Sequence, residues 1–229
     1  MKLLSLALIA SGALAFGASD TRAATLDFIA FSNNNEHGVV SGTTITDAAF
    51  DGEAVTFFAN STFYPYFDHG NAGLGVCQNV ANPGATASGG TGNMCTSGSA
   101  DDNVTVTEAV TIAWQGARTL SNLLFSKEGH TLFASTNTQT LLFGINGGSL
   151  ARYTFGELMG LTFNGVTSAT FGFDDASFDP VIGRGLARNN EQFYLAAATI
   201  SPVPLPASLP LMLAGMVGLG WFGRRRKSS

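Results

Sequence analysis

The chain predicts an all-β fold: a single β-sandwich, jelly-roll-like, set between a signal peptide and a C-terminal transmembrane sorting helix. Three observations predict it. Short apolar runs recur about every ten residues with Gly and Asn between them, the usual spacing of strands in sandwiches. The same region is rich in Thr, Val and Phe, and no proline interrupts it between Pro83 and Pro180. No internal repeat is evident, which disfavours a solenoid.

The elements follow in order. Residues 25–31 alternate, with Leu26 and Phe28 on one side, and read as a strand. Residues 54–58 follow the turn pair Asp51-Gly52. Residues 105–114 place Val106, Val110, Ile112 and Trp114 on even positions, and Glu108 shares that parity, so a bulge or turn is expected beside it. Strands are expected over 120–125, 138–145, 150–155, 160–163, 167–173 and 193–200. Asn146-Gly147 and Asn164-Gly165 read as hairpin turns, because both residue types tolerate positive φ. The one helical candidate is a turn near Glu157 and Met159.

Both ends carry segments of a different kind. Lys2 precedes a short apolar run, and small residues follow, which reads as a secretory signal peptide over residues 1–23. Cleavage is expected after Ala23, with Ala24 the near alternative. At the other end no charged residue occurs from Gln192 to Gly223. The apolar part, 205–222, is about the length that spans a bilayer core. Arg224, Arg225, Arg226 and Lys227 then form a basic stop, expected on the cytoplasmic side. The domain plan is therefore 1–23, an ectodomain over 24–201, and a tail over 202–229.

The ectodomain holds 178 residues, which fits one domain. It carries five Lys or Arg against 15 Asp or Glu. An acidic balance of this size argues against nucleic acid and anionic membrane surfaces as partners, since both need basic patches. Cys77 and Cys95 are the only cysteines, and in an exported chain an even pair reads as a disulfide.

The tail resembles the PEP-CTERM type of sorting signal in its Val-Pro-Leu-Pro-Ala variant. Val203-Pro204-Leu205-Pro206-Ala207 matches that variant at each position, and the glycine-rich apolar segment and terminal Arg cluster match its other two parts. The Pro-Glu-Pro of the commoner form is absent. The resemblance covers about 27 residues. It implies recognition by an exosortase, a membrane-embedded cysteine transpeptidase of Gram-negative bacteria, after transport by the secretion machinery and trimming by signal peptidase. Insertion in the inner membrane would be transient, with release to the cell surface or an extracellular polysaccharide matrix. A structural or carbohydrate-binding role in that matrix or biofilm is the expectation. A second resemblance is looser. Gly73-Leu74-Gly75-Val76-Cys77, then Cys95, then Asp101-Asp102-Asn103 leading to Glu108, is similar to a layout recurring in secreted proteins with this tail. It carries no function with it.

Chemistry is sparse. No Gly-x-Ser-x-Gly elbow and no His-Glu-x-x-His occurs, so no catalytic residue is assigned and the chain is not expected to be an enzyme. His37, His69 and His130 each sit among Gly or Asn and read as solvated loop residues. Asp101, Asp102 and Glu108 are the candidates for a structural Ca²⁺, since calcium takes several oxygens from Asp/Asn turns; no spacing matches an EF-hand loop, so turn formation and solubility are the favoured account of them. No other cofactor is expected. Tyr64 and Tyr66, beside Asp68 and His69, are candidates for stacking on sugar rings, against a place in the core. Two other readings stay open: a secreted hydrolase acting on polysaccharide, and an uncut domain anchored at the inner membrane.

Overall fold

The computed structural model describes residues 22–34, 36–82, 94–96, 102–175, 178–179, 184–185 and 192–203. Antiparallel β-structure dominates it. The strands are β1 (Ala24–Asp27), β2 (His37–Gly38), β3 (Thr43–Thr46), β4 (Ala54–Ala59), β5 (Tyr64–Asp68), β6 (Gly73–Cys77) and β7 (Ala109–Lys127). They continue with β8 (Thr131–Leu132), β9 (Thr140–Ile145), β10 (Ala151–Thr154), β11 (Phe163–Phe173), β12 (Phe178–Asp179), β13 (Arg184–Gly185) and β14 (Phe193–Pro202). Two short helices, α1 (Phe28–Asn34) and α2 (Phe155–Met159), sit among them. Twelve strands form one sheet with the path β10-β9-β11-β7-β14-β6-β5-β2, and β12 pairs with β13 apart from it. None of the described helices is long and apolar enough to cross a membrane.

The first strand is shorter than its alternation suggests. β1 pairs with β14 from Ala24 to Asp27, and the chain then turns into α1. Asp27 causes the change: its Oδ1 accepts a hydrogen bond from Ala30 N at 2.8 Å, the bond that caps a helix N-terminus. Phe28 and Phe31, one turn apart, are then both buried. A strand would also have buried Leu26 and Phe28, so the apolar pattern alone could not separate the two.

The expected strands over 105–114 and 120–125 are parts of one 19-residue strand, β7. Its first half lies between β4 and β11, and its second half lies beside β14. Two positive-φ residues, Gly116 and Asn122, lie inside it. Val110, Ile112, Trp114 and Leu120 are buried on even positions, whereas Leu123 and Phe125 are buried on odd ones. The register with β14 slips at this point, so Asn122 marks a bulge that reverses which parity faces the core. The expected break at Glu108 is present: Thr107 has φ 67°, Glu108 N donates to Thr105 O, and β7 starts one residue later.

The two Asn-Gly pairs part company. Asn146 (φ 55°) and Gly147 (φ 68°) make the expected tight turn between β9 and β10, closed by Gly148 N on Ile145 O. Asn164-Gly165 is no hairpin. It is a bulge inside β11, where the register with β7 shifts between Phe163 and Val166. Neighbours decide this outcome, because β11 must stay paired to β7 on both sides of the pair. α2 occupies the expected helical turn, with Thr154 and Glu157 forming a reciprocal capping box.

Phenylalanine dominates the larger of two apolar clusters among the described residues. Phe28, Phe31, Phe50, Phe57 and Phe67 pack at one end, with centroids 4.6–6.1 Å apart. Phe125, Phe155, Phe171 and Phe193 pack at the other.

Candidate functional site

The Gly-Leu-Gly-Val-Cys segment is β6, and its glycines are forced by close packing on both sides. A Cβ on Gly73 would stand 2.5 Å from Leu195 O of β14. A Cβ on Gly75 would stand 2.1 Å from Asp102 O and 2.8 Å from Asn103 Cα. Residues 102–103 therefore lie directly on the strand. Cys77, the last residue of β6, is bonded to Cys95, with Cα atoms 5.9 Å apart. Beneath the bridge, Ala81 N donates to Met94 O and Thr96 N to Asn79 O, so the loop base is a short ladder. Gln78, next after Cys77, donates through Nε2 to Glu108 Oε1 at 3.0 Å, while Glu108 Oε2 accepts from Thr105 N at 3.1 Å. The scattered parts of the layout thus form a single clasp. Replacing both cysteines by serine is expected to cost about 3 kcal/mol, the loop-closure entropy of a loop of this length. Urea denaturation of the double variant measures it.

Beside the clasp lies a buried polar cluster. Asp68, at the end of β5, is 6% exposed. Among the described residues its Oδ2 has no well-aligned hydrogen bond, yet it stands 3.1 Å from His130 Nε2. The other ring nitrogen, Nδ1, is 3.1 Å from Gly70 O. Tyr194 of β14 packs edge-on against the His130 ring and donates its hydroxyl to Asp102 Oδ1 at 2.6 Å. Asn103 donates through Nδ2 to Glu128 Oε2 at 2.6 Å and to Gln192 Oε1 at 3.1 Å, while its buried Oδ1 has no hydrogen-bond partner among the described residues. Burial, and then the nearby Asp102 carboxylate, push the Asp68 carboxyl up to about 7. Burial raises the Tyr194 phenol as well, reinforced by its hydrogen bond to Asp102.

The candidates read from the sequence fall as follows. Tyr66 is buried, and its hydroxyl donates to Glu36 Oε1 at 3.1 Å. It offers no ring face to a sugar. Tyr64 is half-buried against Tyr66, Cys77, Val80 and Cys95. Both oxygens of Glu108 are held by N–H donors, and Asp102 serves Tyr194. Among the described residues no three His, Cys, Asp or Glu side chains are grouped to hold a metal ion, and Asp101 lies outside those residues. Ala23 is exposed, and Ala24 is buried at the head of β1. Val203 follows β14 and is exposed, whereas Pro204, Leu205, Pro206, Ala207, Arg224, Arg225 and Arg226 lie outside the described residues.

His69 is exposed in a turn, as expected, but the other two histidines correct the sequence reading. His37 is buried in β2 against Phe31 and Phe67, and His130 is held between two acceptors. Asp68, His130 and Tyr194 meet across 62 and 64 residues of chain, and no local motif announces them. No family model, curated protein or solved structure matches the chain.

Proposed function

We propose that this is an exported surface or matrix protein of a Gram-negative bacterium, sorted by an exosortase-like transpeptidase and serving a structural role in extracellular polymer. The observation that carries the reading is the three-part tail: Val203-Pro204-Leu205-Pro206-Ala207, the apolar segment and the Arg cluster. The Cys77–Cys95 bridge supports it, since such bonds persist in oxidising compartments. A cut after Ala23 would leave Ala24 free to pair with Ile200, which favours that site over a cut one residue later. The two sets of partners along β7 support a sheet that folds over itself as a jelly-roll-like sandwich. Any carbohydrate contact would use surfaces other than the Tyr66 ring.

The intact mass of the protein recovered from its own cells tests the reading. The expected chain starts at Ala24, ends between Val203 and Ala207, and is found in the outer-surface or medium fraction. A chain that keeps Arg224, Arg225 and Arg226 and stays with the inner membrane would overturn it.

A further inference from the structure

We propose that the Asp68–His130 pair is a proton-held latch, which pins the tip of the β7–β8 hairpin to the turn after β5 in acidic and neutral media and lets go in alkaline ones. Hydrogen-bond counting is the first argument. His130 Nδ1 faces Gly70 O and Nε2 faces Asp68 Oδ2, both acceptors. A neutral imidazole has one N–H and cannot satisfy both. The arrangement needs one extra proton, carried as imidazolium beside carboxylate or as carboxylic acid donating to a neutral ring. Remove that proton, and a lone pair on Nε2 faces a buried carboxylate.

The surroundings make that loss costly. Asp68 is faced by the Asp102 carboxylate from the segment on Gly75, by Glu36 ahead of β2, and by the Tyr194 hydroxyl from β14. Glu128 adds negative charge on Tyr194, and Tyr66, paired to Glu36, also neighbours Asp68. Among the described groups that act on Asp68 by charge, Asp102 and Glu36 raise it and His130 opposes them. Burial raises the Asp68 carboxyl to about 7, above the unfolded value of about 4. The folded chain therefore holds a proton that the unfolded chain releases. Its stabilising contribution is complete below the unfolded value and is lost as pH rises through about 7.

Apart from this contact the tip is held by its own turn bond, His130 N to Lys127 O, and at its base by Phe133 N on Phe125 O. β8 pairs with β7 at two positions, Ser126 with Leu132 and Lys127 with Thr131, and both β8 side chains are exposed. The turn carries two positive-φ residues, Gly129 and His130. The receiving turn is firm: Asn33 Oδ1 accepts from Gly70 N and Asn71 N, and Ser126 Oγ donates to Asn71 O. Gly70 is required there, having φ +80° and a Cβ position 2.9 Å from His130 Nδ1. Opening the tip would uncover Tyr194 and the Asp68–Asp102 carboxylates.

Amide hydrogen exchange of residues 127–133 in the protein recovered from its cells, corrected for intrinsic rate, tests the latch at pH 5.5 and 8.5. Roughly thirtyfold less protection at the higher pH is expected, since only the closed form holds the proton between pH 5.5 and about 7, about 1.5 pH units of linkage. Asp68→Asn supplies a permanent N–H donor to a neutral ring and should give equal, high protection at both pH values. His130→Asn, which suits positive φ, removes the ring and should give protection at pH 5.5 no higher than that of the wild-type chain at pH 8.5. Protection in the wild-type chain that is the same at both pH values would overturn the latch. So would an Asp68→Asn variant that keeps the wild-type pH response, or a His130→Asn variant that keeps the wild-type protection at pH 5.5.

Discussion

Gly75→Ala is expected to lower stability by about 3 kcal/mol or more, at the upper end of overpacking effects. The added Cβ would meet backbone, Asp102 O at 2.1 Å and Asn103 Cα at 2.8 Å, and backbone cannot rotate aside as a side chain can. The segment must lift off β6. Lifting it breaks the Tyr194–Asp102 bond, the Asn103 bonds to Glu128 and Gln192, and the mutual Val104–Phe193 backbone pair. Gly172→Ala is the control. Its Cβ would find Ala109, Leu142 and Leu150 side chains at ordinary contact, 3.5–3.6 Å, and its φ is not in the left-handed region. A shift of about 1 kcal/mol or less is expected there. Urea melts of the two variants measure the difference, and equal losses would remove the steric account of the Gly-Leu-Gly-Val-Cys segment.

What the sequence revealed was set by how local each cause is. Asn146-Gly147 needs only its own φ preferences to turn, and the capping box at Thr154 and Glu157 closes within one helical turn. Glu108, on the wrong parity for a strand, marked the break before β7. Asn164-Gly165 carries the same local preference as Asn146-Gly147 but becomes a bulge, because β7 pairs with β11 on both sides of it. α1 was hidden because Leu26 and Phe28 are inside in either conformation, and the deciding bond is a side-chain cap from Asp27. In the candidate site, Asp102 and Glu108 were visible as acidic residues in Asp/Asn-rich sequence. Their partners, Tyr194 and Gln78, are supplied by chain 92 and 30 residues away. His130 read as a solvated loop residue because a Gly-flanked histidine says nothing of the carboxylate folded against it.

Phe125→Ala is expected to cost about 3–5 kcal/mol, the range for deleting a fully buried aromatic. Its ring meets Phe155 at 5.1 Å, Phe171 at 5.8 Å and Phe193 at 5.9 Å, all edge-on, and so joins α2, β11 and β14 to β7. The cavity would open where those elements meet, with little freedom for any one of them to collapse into it. The adjacent Leu124 supplies the contrast. It is 42% exposed, and Leu124→Ala should change stability by about 0.5 kcal/mol or less. Had β7 kept the even parity of Val110, Ile112 and Trp114, Leu124 would be the buried residue and Phe125 the exposed one. The pair therefore tests the bulge at Asn122 as well as the core. A thermal melt in which Leu124→Ala costs more than Phe125→Ala would place the second half of β7 one residue out of register, and with it the whole aromatic contact set around Phe155.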